Sequence, residues 1–108
     1  MPPILHYFTE GPRIFLTSWK SRILPKKYHG DAEEICEQIV HDCWNGRYLQ
    51  TSTCNFSQFW TRDLGWCTKS LLELQHKDQV HNTLRYALNH FKQDKKVTTT
   101  ITPGGTPF

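Results

Sequence analysis

The chain has 108 residues, a formal net charge of +3, 37% hydrophobic and 21% charged residues, and six Phe, four Trp and four Tyr. That length holds one small domain or a piece of a larger one; the aromatics are foreign to a disordered tail, and so weak a charge does not mark a nucleic-acid protein. Apolar runs stay far short of the roughly 18 residues needed to span a bilayer, and Met1-Pro2-Pro3-Ile4-Leu5-His6 lacks the basic region and apolar stretch of a signal peptide, so the expectation is a soluble, cytoplasmic chain without membrane or nucleic-acid partners.

Residues 1–30 carry Arg13, Lys20, Arg22, Lys26 and Lys27 against Glu10 alone, net +4, and four of the six prolines. This stretch reads as a basic, solvated leader of extended segments and turns, with a short strand at Ile14-Phe15-Leu16. A phosphate-binding arm is the less favoured reading. Residues 31–108 are net −1 and read as helices. Asp31 and Glu34 fit a capping box. Ile35, Cys36, Ile39, Val40, Cys43 and Trp44 then recur at helical spacing. The first helix is therefore expected over 32–45, stopped by Gly46. A polar loop follows to Ser57.

Leu64, Cys67, Leu71 and Leu74 form the apolar stripe of a second helix over 63–75, with Asp63 as its cap. Asp78 is expected to cap a third helix over 79–92, striped by Val80, Leu84, Ala87, Leu88 and Phe91. The short spacer folds these two back as an αα-hairpin. Val97-Thr98-Thr99-Thr100-Ile101-Thr102 is β-branched and favours an extended strand, broken by Pro103-Gly104-Gly105. The chain then stops at Phe108 with no closing element expected. Three one-sided helices bury little alone, so the isolated chain is expected to be marginally stable or self-associating.

Cys36, Cys43, Cys54 and Cys67 make no Cys-x-x-Cys pair, and no two histidines stand at His-x-x-x-His spacing. Neither a metal site nor a disulfide framework is expected. Cys36 and Cys43, two helical turns apart, are expected to fill the core as small hydrophobes. Asn55-Phe56-Ser57 matches a glycosylation sequon, which a chain outside the secretory path cannot use.

The densest chemistry lies in Phe56-Ser57-Gln58-Phe59-Trp60-Thr61-Arg62-Asp63-Leu64-Gly65-Trp66, where aromatics flank an Arg-Asp pair at a helix start. Aromatic faces offer flat apolar surface for sugar rings. Arg and Asp can together donate to and accept from vicinal hydroxyls. The positive end of the helix dipole makes Asp63 better suited to accept from a hydroxyl than to donate a proton. The plain alternative is that Trp60 and Trp66 are packing anchors and Asp63 an ordinary cap paired with Arg62.

Phe59-Trp60-Thr61-Arg62-Asp63-Leu64-Gly65 resembles the aromatic-x-Arg-Asp segment of the six-hairpin glycosidases, whose (α/α)6 toroid serves glucoamylases, neutral invertases and the amylo-α-1,6-glucosidase domain of glycogen-debranching enzymes. The resemblance extends over 31–108: outer helix, aromatic loop, Arg-Asp heading an inner helix, a hairpin back, then the Thr-Thr-Ile-Thr-Pro-Gly-Gly stretch. It implies that Arg62 and Asp63 grip hydroxyls of the sugar in subsite −1 and that Trp60 forms a wall of the pocket.

A full toroid needs many more helices than the three read here. Inverting hydrolysis also needs two carboxyls roughly 6.5–9.5 Å apart, and the family's acid and base would lie beyond Phe108. Asp42 and Glu73 read as solvated face residues. The expectation is thus a mainly α fragment: a leader over 1–30 and a partial, truncated glycosidase domain over 31–108. It would hold a carbohydrate substrate, carry no cofactor and no catalytic pair, and need the remainder of its domain or self-association. A stand-alone helical sugar-binding or protein-interaction module is the alternative, and a small nucleic-acid binder through residues 13–27 is a third, disfavoured by the charge of the helical part.

Overall fold

The computed structural model describes residues 3–54 and 56–108, with side chains from Tyr7 onward; Asn55 and its sequon lie outside the described residues. In chain order the elements are α1 (Pro3–Ile23), α2 (Ala32–Cys43), β1 (Phe59–Trp60), α3 (Thr61–Glu73), α4 (Lys77–Asp94) and β2 (Thr100–Ile101). The fold is mainly helical, as expected, with one small sheet.

α2 begins as its sequence dictates. Asp31 accepts from the Glu34 amide and Glu34 accepts from the Asp31 amide, both at 2.9 Å. Gly30 sits just before at φ +123, where a Cβ would run into the Glu34 side chain that closes the box. The helix ends at Cys43 rather than 45, because Trp44 turns extended and bridges Leu49. Asn45 holds that turn by accepting from the amides of Arg47 and Tyr48, each at 2.9 Å. Gly46, at φ +89, serves this turn and not the helix stop.

The core gathers on residues 43–101. Phe59 and Ile101 face each other across the antiparallel β1–β2 pair, and they are 2% and 0% exposed. Tyr86 stacks on Tyr48 with ring centroids 4.3 Å apart, and Phe59 meets Tyr86 and Phe91 edge-on. Leu64 and Leu71 of α3 with Val80 and Ala87 of α4 complete the cluster.

α3 and α4 form the expected αα-hairpin, turning at Gln75 (φ +68). Both caps differ from expectation. The Thr61 amide donates to Thr99 O at 2.9 Å and its hydroxyl donates to Thr98 O at 2.7 Å. The sheet therefore sets where α3 starts, Trp60 becomes its N-cap, and Asp63 falls in the first turn. His76, not Asp78, is the N-cap of α4; its ring pairs with Glu37 of α2 at 2.8 Å.

The buried face of α4 is also turned from the one expected. Thr83 and Tyr86 are buried while Leu84 and Leu88 are 44% and 62% exposed. Thr83 can sit inside because its hydroxyl donates to Gln79 O and accepts from the Leu49 amide, leaving no polar group unpaired. Leu49 is tied to α4 by that bond. The stretch after β2 closes as well, contrary to expectation: Thr100 and Phe108 exchange backbone hydrogen bonds at 3.1 and 2.9 Å, and Pro107 bridges Ile101.

The largest correction is the leader, which is the 21-residue helix α1 with no strand at Ile14–Leu16. Pro3 stands at its first turn, where its missing N–H costs nothing. Pro25 lies beyond its end, so only Pro12 falls in the helix interior, and the helix runs through it. Residues 24–30 are fastened to α2 through Asp42, which pairs with Lys26 and accepts from the Tyr28 hydroxyl at 2.9 Å. Asp42 is thus an anchor rather than a solvated face residue. Of the cysteines only Cys43 is buried; Cys36, expected beside it in the core, is exposed. Among the described residues no helix is long and apolar enough to cross a membrane.

Candidate functional site

A cavity of about 360 Å³ opens between α2, the 49–51 loop and α3. That lies at the small end of the roughly 300–1,000 Å³ typical of small-molecule sites. Ile39 and Val40 of α2, Leu49, and Leu64 and Leu71 of α3 form its apolar wall. Gln50, Thr51 and Asp63 supply its oxygen and amide groups, and Trp60 borders it from β1. Gln50 is fixed by donating its Nε2 to Ser57 O at 2.8 Å.

Two of the three residues expected to hold a sugar, Trp60 and Asp63, border one cavity, because the β1–α3 junction places them three residues apart, about one helical turn. Among the described residues Asp63 has no hydrogen-bond or ion-pair partner in this arrangement and is the only carboxylate on the cavity wall. The Trp60 indole N–H is buried and also lacks a partner, a state that costs about 1–3 kcal/mol when nothing accepts from it. Phe56 packs edge-on against the Trp60 ring, with centroids 5.7 Å apart.

Arg62 does not join them. One residue along a helix is a turn of 100°, and its guanidinium lies 5.2 Å from the centroid of Trp66, one turn onward. Trp66 itself is 77% exposed and Phe59 belongs to the core. The segment that looked like one aromatic patch is thus divided three ways: core, cavity wall and open surface.

Neither Asp42 nor Glu73 lies on this cavity wall. Lys26 first, and then the Tyr28 hydroxyl, hold the Asp42 carboxyl below the usual carboxylate range, which makes it a poor proton donor. Glu73 stands exposed on α3. Burial pushes the Cys43 thiol up, so it lines the cavity as a neutral group.

Sequence reasoning missed Gln50 and Thr51, which sit in a stretch that reads as a spacer. It also missed the network on Arg13, whose guanidinium donates to Glu10, to Ser57 Oγ at 2.7 Å and to Gln58 Oε1 at 2.6 Å. The only signal for either was polarity without periodicity, which does not distinguish a binding loop from a linker. No protein family, curated protein or solved structure matches this chain.

Proposed function

We propose that this chain is the sugar-holding part of a six-hairpin-type glycoside hydrolase, built on one helical hairpin of such a toroid and without turnover of its own. The observation that carries the reading is the meeting of Trp60 and the unpaired Asp63 carboxylate on one largely apolar cavity. A pyranose ring has an apolar C–H face and a polar rim. The wall of Ile39, Val40 and Leu64 suits the first, and Asp63, Gln50 and Thr51 suit the second. In this proposal Asp63 and Trp60 make the contact, while Arg62 rests on Trp66 outside it. A single carboxylate on the cavity wall can hold a hydroxyl, but the glycosidic bond needs two carboxyl groups working across it.

The test is calorimetric or NMR titration of the chain with malto-oligosaccharides. Asp63→Asn should keep α3, since Asp63 makes no cap hydrogen bond. It should weaken binding roughly ten- to hundredfold, the worth of about 1.5–3 kcal/mol for a hydrogen bond to a charged acceptor. Glucoside turnover by these 108 residues would overturn the non-catalytic reading. Absence of saturable sugar binding, or binding untouched by Asp63→Asn, would overturn the sugar-holding one.

A further inference from the structure

α1 is packed with its sides reversed. The side against the protein is polar: Glu10 and Arg13 pair with each other, their side chains 13% and 22% exposed, and Arg13 reaches Ser57 and Gln58. The opposite side carries Phe8, Phe15, Trp19 and Ile23, which follow one another at helical spacing and are 54–73% exposed. A helix held by its polar face leaves its apolar face for something else.

We infer that α1 lies in the plane of an anionic lipid surface, with Phe8, Phe15, Trp19 and Ile23 entering the headgroup–acyl boundary. The breadth of the face favours a lipid layer over a protein groove. Ile14, Phe15 and Leu16 are consecutive and all exposed, so at 100° per residue the exposed apolar residues spread over about 200°, an arc that Ser18 and Arg22 also enter towards the end of the helix. A groove-bound helix presents a narrower stripe with polar flanks, whereas a helix half sunk in a bilayer wets half its circumference with lipid. Aromatic side chains such as Trp19 settle at that boundary.

Charge points the same way. Lys20, Arg22 and Lys27 are exposed, and none has a carboxylate within ion-pair distance among the described residues. The one acid in this stretch, Glu10, is already paired with Arg13. No described helix is fit to cross the bilayer, so the contact is interfacial, and it departs from the expectation of a chain without membrane partners. It is independent of the sugar reading.

The experiment is cosedimentation of the full chain with phosphatidylcholine vesicles, with and without phosphatidylserine. Binding should require phosphatidylserine, weaken with added salt and shift the Trp19 emission to the blue, a shift that Trp19→Phe removes while binding persists. Lys20→Gln with Arg22→Gln should weaken binding about thirtyfold. Phe15→Ser with Trp19→Ser should weaken it at least tenfold. All four positions are exposed, so circular dichroism should show the helices retained. No cosedimentation, equal binding to both vesicles, or binding unchanged by Lys20→Gln with Arg22→Gln would overturn the proposal. So would concentration-dependent self-association that Phe15→Ser with Trp19→Ser abolishes in the absence of vesicle binding, which would give the face to a second copy of the chain.

Discussion

α1 and α4 are the two longest helices of the chain, and they solve opposite problems. α4 hides Val80, Thr83, Tyr86, Ala87 and Phe91 and turns its charged residues outward. α1 is held by Arg13 on Ser57 and Gln58, and shows its aromatics to the outside. The first is held by area removed from water, at roughly 25 cal/mol per Å². The second is held by a few part-buried polar contacts, each contributing about 0.5–1.5 kcal/mol, or somewhat more to a charged group. The lesson is that helical periodicity shows a helix has a face, and its neighbours decide which way the face turns.

The sharpest way to break this comparison is truncation of large side chains on each helix's side of the molecule. Phe59→Ala, beneath α4, should cost about 3–5 kcal/mol in urea denaturation, because the cavity left among Tyr86, Phe91 and Ile101 cannot collapse fully. Phe15→Ala on α1 should stay within about 0.5 kcal/mol. Equal losses at the two sites would mean that α1 is part of the core.

Next in size is an alkaline effect confined to the core. Burial, above all, raises the Tyr86 hydroxyl to about 12, against about 10 in the unfolded chain. Its neutral form is therefore favoured in the folded state. The associated stability is fully present below pH about 10 and is lost as pH rises towards about 12, by about 2–3 kcal/mol at most. Tyr86→Phe should flatten that limb in melts recorded across the range. An unchanged slope would place the titration elsewhere, Tyr48 being the next candidate, since burial raises it too.

The smallest expected effect lies between the two regions, at Asp42. Its carboxyl is lowered by Lys26 and Tyr28, so its contribution is present above the ordinary aspartate value of about 3.9 and is lost as pH falls further. Asp42→Asn should lower the neutral-pH melt slightly and flatten the acid limb, so that the two proteins converge at low pH. Amide hydrogen exchange in residues 24–30 should rise first, since Asp42 fastens that segment to α2.

The helical part was legible wherever a local rule was sufficient. The capping box of α2 involves residues three apart, and the hairpin of α3 and α4 follows from two stripes and a short spacer. The leader was misread because proline counts against a helix on average, whereas Pro3 and Pro25 sit where a helix tolerates or follows them. Trp60 and Asp63, which both border the cavity, were legible as neighbours from their spacing. Gln50 and Thr51 were not, because a cavity wall assembled from α2, a loop and α3 leaves no periodic trace in any one of them.

Sequence alone determined the mainly helical class, the start of α2 and the hairpin, which depend on contacts within a few residues; the strand expected over 97–102 narrows to Thr100–Ile101, where β1 pairs with it. Tertiary structure alone decided that Asp63 stands in the first turn of α3 and not at its cap, because Thr61 bonds to Thr98 and Thr99 across the sheet. It also decided that Arg62 turns away from Asp63, that Thr83 is buried in place of Leu84, and that Cys36 is outside while Cys43 is inside. Each of these depends on which partner lies opposite. A buried hydroxyl is stable only beside a donor such as the Leu49 amide, and that partner comes from a part of the chain 34 residues away.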